Sequence, residues 1–308
     1  MVGITNRAFR SLLAETGGPD FAFTEMASAE AYISHTKFES VYTDTMPSPA
    51  AVSVQFYARS PESLARACAE TAARPPEERP AGIDINFGCS APHIRKSGGG
   101  SAWSENPEGA ARLVTAARSA WPGSLSAKLR MGPDDDYDRL LDFCRRLAGE
   151  GLDFLTLHPR TDSQKFRRLP RHDITVRLAA DLEIPVIANG DIRSPGDAAL
   201  LLSRGAWAVM IGREAVRSPW IFSFMRRTPV RADRKNLALR YLDLAEAHLP
   251  EEWRMESARR FFEYYSETMS FAHHFKYSLI NAKDLAAMRT ALADYFQRVE
   301  TDRMIVLP

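Results

Sequence analysis

Cysteine is scarce in this chain and follows no pattern. Among 308 residues there are three, Cys68, Cys89 and Cys144. An odd number at wide spacing makes neither a disulfide framework nor a set of metal ligands. A reducing, cytoplasmic setting is therefore expected, and no metal. Long apolar runs are missing too. No stretch approaches the roughly 20 residues of a membrane span. Residues 1–10 lack the apolar core of a signal peptide, so no membrane partner is expected. Neither sign of charge is in excess. The formal net charge is +1, which gives no general warrant for a nucleic-acid partner. There is no internal repeat and no low-complexity tract. Beyond Arg227 there is no glycine, which marks a change in the kind of structure.

What is present is ordinary for a globular protein: 45% hydrophobic and 26% charged residues, enough for one large domain and a small one. Up to Arg227, short apolar runs alternate with helical periodicity. Strands are expected at 21–25, 51–56, 82–86, 125–130, 154–158, 185–189 and 208–212. Helices are expected at 6–15, 61–73, 106–121, 136–150, 173–181, 195–204 and from 219 onward. Ser60-Pro61-Glu62 and Asn106-Pro107-Glu108 open two of these with proline in the first turn. Gly17-Gly18 closes the first. Runs such as Pro185-Val186-Ile187-Ala188 are continuously apolar, as in strands covered on both faces. Alternation of this length argues for a parallel α/β fold. Seven strands are visible, and a closed barrel of this type needs eight. The expected fold is a (β/α)8 TIM barrel over residues 1–227, with most of its first strand upstream of Met1. A helical domain over 228–308 follows, with helices near 237–244, 257–269, 271–280 and 284–296. Its aromatics, Phe261, Phe262, Tyr264, Tyr265, Phe271 and Phe275, are expected in its core.

The strand-like runs end in polar residues: Gln55, Lys128, His158, Asn189 with Asp191, and Gly212 with Arg213. Such a series suits a single site at the C-terminal face of a parallel barrel. The run Ile83-Asp84-Ile85-Asn86-Phe87-Gly88-Cys89 is the most informative. It is a buried strand that stops at a glycine and a cysteine, with Arg95, Lys96 and Gly98-Gly99-Gly100 in the loop beyond. A thiol of ordinary pKa, about 8.5, is mostly protonated at neutral pH and can act as an acid. Cys68 and Cys144 lie on helix faces and read as fillers. Asn189-Gly190-Asp191 and Met210-Ile211-Gly212-Arg213 follow the last two strands, where barrel enzymes commonly hold a phosphate on backbone N–H groups. Arg213 can add a charge-assisted contact. Lys128, inside an apolar strand, calls for an anionic partner. Gln55 offers a donor and an acceptor, and His158 a further donor or a structural contact. Two basic runs stand out. Arg160, Lys165, Arg167, Arg168, Arg171 and His172 crowd one loop; Arg226, Arg227, Arg231, Arg234 and Lys235 follow the last strand. Such runs either track phosphates or form a solvated surface.

Taken in order over residues 1–222, several runs resemble the tRNA-dihydrouridine synthases, a family of FMN-dependent barrel reductases. They are Gly3-Ile4-Thr5-Asn6-Arg7-Ala8-Phe9-Arg10, Thr24-Glu25-Met26, Val54-Gln55-Phe56, Asp84 to Cys89, Lys128-Leu129-Arg130, His158-Pro159-Arg160-Thr161, Ile187 to Ile192 and Met210 to Arg213. The resemblance implies reduction of uridine in tRNA to dihydrouridine, with FMN bound and NADPH or NADH as electron donor. It implies that Cys89 donates the proton and that Asn86, with Arg160, contacts the substrate. Gln55, Lys128 and His158 would contact the flavin ring. Asn189, Gly190, Asp191, Gly212 and Arg213 would hold its ribityl phosphate. Met1 and Val2 would end a flavin-contacting motif of strand one, so the natural chain is expected to begin upstream. The helical tail resembles the family's RNA-binding domain less sharply. Ser90 replaces a proline usual after the cysteine, His172 stands where an aromatic is usual, and Gly98-Gly99-Gly100-Ser101 is richer in glycine than usual. These departures alter loops and remove no catalytic group. The expected partner is tRNA; no protein partner is evident. Two other readings stand beside this one. One is an FMN-barrel reductase of a small pyrimidine or enoate substrate. The other is an RNA-binding protein without catalysis, against which intact Cys89, Asn86 and Lys128 argue.

Overall fold

A computed structural model describes residues 1–308. By packing, the chain falls into two compact units: residues 21–192 with 196–211, and residues 1–20 with 193–195 and 212–308.

The first unit holds seven strands: β1 (Ala22–Ser28), β2 (Val52–Tyr57), β3 (Gly82–Phe87), β4 (Ser124–Arg130), β5 (Phe154–His158), β6 (Val186–Asn189) and β7 (Ala208–Met210). They lie in chain order and every neighbouring pair is parallel. From β2 onward each crossover carries a long helix: Pro61–Ala72, Pro107–Ala120, Tyr137–Gly149, His172–Asp181 and Pro195–Ser203. This is the α/β architecture of TIM-barrel type that the alternation implies. Residues 1–5 make turns, the N–H groups of Ile4 and Thr5 both donating to the Met1 carbonyl, so the sheet has seven strands and not eight.

Local chemistry sets the helix starts. Ser60 Oγ accepts from the Ser63 N–H and Asn106 Oδ1 from the Gly109 N–H, each satisfying a donor that the first turn leaves unpaired. Alternation along the strands then sorts the two faces of the sheet. In β3, Ile83, Ile85 and Phe87 pack into one apolar core with Leu113, Val114, Phe143 and Leu147 from the covering helices. Asp84 and Asn86 are thereby turned to the opposite face.

Details differ from the sequence reading where short-range chemistry prevails. The polar stretch before β2 contains short helices, Ala29–Ile33 and Glu39–Tyr42. The helix expected from 219 is Ile221–Met225, and a further short helix, Arg213–Arg217, precedes it. Pro219 disfavours helical backbone at the residue before it, and Ser218 takes ψ 80. His172 opens a helix instead of closing the basic loop.

The second unit contains the four expected helices, Arg234–His248, Glu251–Tyr265, Ala272–Ile280 and Leu285–Arg298. It also has an antiparallel ribbon that periodicity does not reveal, β8 (Val230–Asp233) with β9 (Met304–Leu307). Packing places Arg7–Glu15 and residues 212–227 in this unit, whereas periodicity alone divides the chain at 227. Phe261 is the hub of its core. Its ring stacks on Tyr241 at 3.9 Å and Tyr265 at 5.0 Å, and meets Phe262 edge-on and Phe9 at a tilt. Tyr241 and Tyr265 satisfy their hydroxyls on the carbonyls of Ser257 and Arg234. Phe271, expected inside, is 60% exposed, because it stands before the first turn of Ala272–Ile280. Replacing Phe261 by alanine is expected to cost about 3–5 kcal/mol of stability. Chemical denaturation measures it; a loss below about 1 kcal/mol would show that this ring is not the hub.

Candidate active site at the strand ends

The polar face of the sheet carries a continuous hydrogen-bond network. Register places Gln55, Asp84 and Ser126 side by side on β2, β3 and β4, with Asn86 beside Lys128 one layer higher. Ser126 Oγ and Gln55 Nε2 each donate to one oxygen of Asp84, both at 2.6 Å. Asn86 Nδ2 donates to Gln55 Oε1 at 2.9 Å. Asn86 Oδ1 accepts from two backbone N–H groups, Gly88 at 3.1 Å and Cys89 at 2.8 Å. The network thus runs from a buried carboxylate to the main chain of the cysteine.

Charges on this face are perturbed in opposite directions. Burial pushes Asp84 up to about 6, against the hydrogen bonds from Ser126 and Gln55 and the attraction of Lys128. Burial, with repulsion from Arg130, pushes Lys128 down to about 8, against the attraction of Asp84. Lys128 is partly accessible and has no hydrogen-bond or ion-pair partner of its own. An enclosed, unpaired ammonium at a strand end fits an electron-rich ligand group.

Cys89 follows the end of β3 in a loop held from both sides. Its N–H is fixed by Asn86, and its carbonyl accepts from the Ser101 N–H at 2.9 Å. Gly100 makes the second contact possible. It has φ +59, and a Cβ there would lie 2.4 Å from the Cys89 carbonyl oxygen. Beyond the cysteine, Pro92–Lys96 is helical, and Arg95 reaches across to Asp162 at 3.2 Å and to Glu105. The thiol is half-buried. Burial pushes its pKa up and Asp162 adds to this, against the Ala91 N–H and Arg130. The sulfur is therefore kept protonated at neutral pH. Cys68 and Cys144 are fully buried fillers.

The ends of β5 and β6 form a second cluster. Arg160 is only 1% exposed. Its guanidinium donates to the Arg168 carbonyl at 2.5 Å, to Asp191 at 2.5 Å and to His158 Nε2 at 2.9 Å. Arginine cannot accept, so His158 presents its lone pair at Nε2 and carries its proton on Nδ1. Gly190 has φ +124, and a Cβ there would meet the His158 ring at 3.0 Å; only glycine fits. Its carbonyl accepts from His172 Nε2 at 2.8 Å. Asn189 Nδ2 donates to the Met210 carbonyl, tying β6 to β7. Asp191 has φ +49, a conformation held by its ion pair.

Met1, Val2, Gly212 and Arg213 belong to the other compact unit. There Val2 accepts from Arg260 at 3.2 Å, and a Cβ on Gly212 would lie 3.6 Å from the Met1 sulfur. The basic loop is less uniformly basic than its sequence. Arg160 is enclosed, and Arg171 is paired with Asp135 and Asp173. Lys165, Arg167 and Arg168 remain exposed, beside an exposed Phe166 that lies under the Arg130 guanidinium. Of the second run, Arg226 is held by Asp20 and Arg234 is buried.

Sequence reasoning quoted Asp84 within its motif but gave it no role, and it passed over Ser126. A charged residue between two isoleucines of a buried strand is the same signal that singled out Lys128.

Comparison with known proteins shows the family. The family model described as dihydrouridine synthase (Dus) matches residues 1–305. A tRNA-dihydrouridine synthase B of Xanthomonas axonopodis pv. citri is 30% identical over 306 residues, covering 96% of this chain and 91% of that protein. A tRNA-dihydrouridine(16) synthase of Cupriavidus necator is 33% identical over 233 residues, covering 72% of this chain and 70% of that protein. A probable tRNA-dihydrouridine synthase 1 of Synechocystis is 30% identical over 271 residues, covering 85% and 73%. With the family model matching residues 1–305, this chain belongs to the dihydrouridine synthase family.

Proposed function

We propose that the protein reduces the 5,6 double bond of a uridine in tRNA to dihydrouridine, with Cys89 as the proton donor. The observation that carries this is the Cys89 thiol. It stands at the C-terminal end of a parallel strand, pinned at its N–H and its carbonyl, and burial keeps it protonated.

The residues on the polar face suit FMN. Lys128 offers an unpaired ammonium to the N1–C2=O edge of the ring. Gln55 keeps one amide hydrogen and one lone pair beyond those used by Asp84 and Asn86, and His158 is fixed in one tautomer. Asn189, Gly190 and Asp191 would hold the ribityl phosphate, with Gly190 leaving the main chain bare for close approach. Gly212 and Arg213, and Met1 with Val2, keep the roles that their sequence order implies. When bound and reduced, with NADPH or NADH as the source of electrons, FMN would supply the hydride that C6 of the base requires. Cys89 Sγ–H gives its proton to C5, and the thiolate takes a proton back from solvent. Asn86 would orient the uracil. Arg160, enclosed between His158 and Asp191, acts as a positioning residue. The base must leave its stack to reach the thiol. The exposed cations Lys165, Arg167 and Arg168 would contact phosphates of the RNA, and the helical domain is proposed to bind RNA as well. A cytoplasmic location goes with this proposed substrate.

Replacing Cys89 by alanine should slow uridine reduction by about 10²–10⁴-fold, the usual worth of a positioned general acid, while flavin binding survives. Near-normal turnover by this variant would remove the assignment. A second expectation concerns pH. Lys128 is charged below about 8, and contact with an electron-rich ring edge favours the charged form. The dissociation constant for FMN should therefore rise as pH passes through that value, and Lys128→Met should abolish the dependence. Fluorescence titration tests both, and a pH-independent wild type would contradict the contact. A third concerns Arg213. Arg213→Ala should weaken FMN by about tenfold through loss of a charge-assisted contact. Equal flavin content after gel filtration at limiting FMN would exclude the role.

A further inference from the structure

Asp84 has no part in the reaction as proposed, yet it has no exposed surface and both of its oxygens are engaged. Its two acceptor contacts have a directional consequence. An ionised carboxylate only accepts, so Gln55 must turn its NH₂ toward Asp84. The Gln55 oxygen is then left facing Asn86. The opposite end of the chain imposes its own demand. The backbone N–H groups of Gly88 and Cys89 only donate, so Asn86 must present its oxygen to the loop and its NH₂ to Gln55. The two ends agree on one polarity. If either amide turned over, two NH₂ groups or two oxygens would face each other at 2.9 Å.

We propose that Asp84 is a positioning residue: it fixes the donor–acceptor order of Gln55 and Asn86, and through them holds the main chain of Cys89 in place. The proposal rests on Cys89 being the proton donor, and its test reads Cys89 independently of turnover.

Asparagine at 84 preserves the order, with its oxygen toward Gln55 and its NH₂ toward Ser126, whose hydroxyl can accept. Leucine, of similar size, accepts nothing. Gln55→Met cuts the middle link while leaving Asp84 and Asn86 in place. The readout is the rate at which iodoacetamide alkylates Cys89 in the folded full chain, followed by mass spectrometry of its peptide. Buried Cys68 and Cys144 serve as references for intact folding. Asp84→Leu and Gln55→Met should each accelerate alkylation about three- to tenfold, the worth of one buried hydrogen bond, and Asp84→Asn should stay within about twofold of wild type. Adding Asp84→Asn to Gln55→Met should change nothing more. Turnover with tRNA should fall in the same order of variants, with KM little changed. If Asp84→Leu does not fold, Gln55→Met decides alone. A wild-type alkylation rate in Gln55→Met, or equal effects of leucine and asparagine at 84, would overturn the proposal. Should Cys89→Ala keep full turnover, the proton-donor reading fails, and the alkylation rates still judge the relay.

Discussion

A polar group shut away from water must find a partner within the protein, and the polar face of the sheet is organised by that requirement. Asp84 cannot be hydrated where it stands. Ser126 and Gln55 are therefore committed to it, Gln55 commits Asn86, and Asn86 commits the first turn of the cysteine loop. Lys128, one layer above, shares the carboxylate's field without touching it. The result is a floor whose amides are committed to one donor–acceptor order, beside an ammonium with no hydrogen-bond partner. A loop carrying Ser90 where proline would stiffen it, and three successive glycines, is nonetheless held at its reactive residue. The stiffness comes from contacts made to the loop.

The same accounting explains the second cluster. Arg160 is a full charge with almost no access to solvent, which is tolerable only because three acceptors surround its guanidinium. One of them, Asp191, is held in a left-handed backbone conformation beside Gly190. The strained geometry and the enclosed charge sustain each other: the ion pair holds the turn, and the turn brings the carboxylate within reach.

Much of this was legible in the sequence because strands announce themselves by composition. Ile83, Ile85, Leu155 and Val186 are apolar in runs too short for helices, and all seven strands follow. The polar strand ends Gln55, Asn86, Lys128 and His158 were legible for the related reason that such residues are out of place in an apolar run. Contacts across strands were not. Nothing in Arg160 as a letter tells that it lies inside while Arg167 and Arg168 lie outside; that depends on Asp191 folding back from another strand end. Asp84 was hidden by familiarity, being read as part of a motif and not as a charge between isoleucines. The ribbon of β8 and β9 escaped because its halves are four residues long and bracket four helices. Phe271 was misplaced because a helix boundary, fixed by backbone geometry, decides which side a ring takes.

The discontinuity of the second unit has a consequence for the order of events during synthesis. The seven parallel strands are complete once residue 211 has left the ribosome. The helix Arg7–Glu15, made before them, belongs with partners made after them, among them Tyr241 and Phe261. Its apolar face, with Phe9 and Leu12, therefore waits uncovered through most of translation. β8 cannot find its strand neighbour until Met304–Leu307 has emerged. A nascent chain of this protein thus carries an early hydrophobic debt on that helix. Slow elongation past residue 211 lengthens the exposure, so chaperone occupancy of the first helix should track translation speed more closely than native stability does.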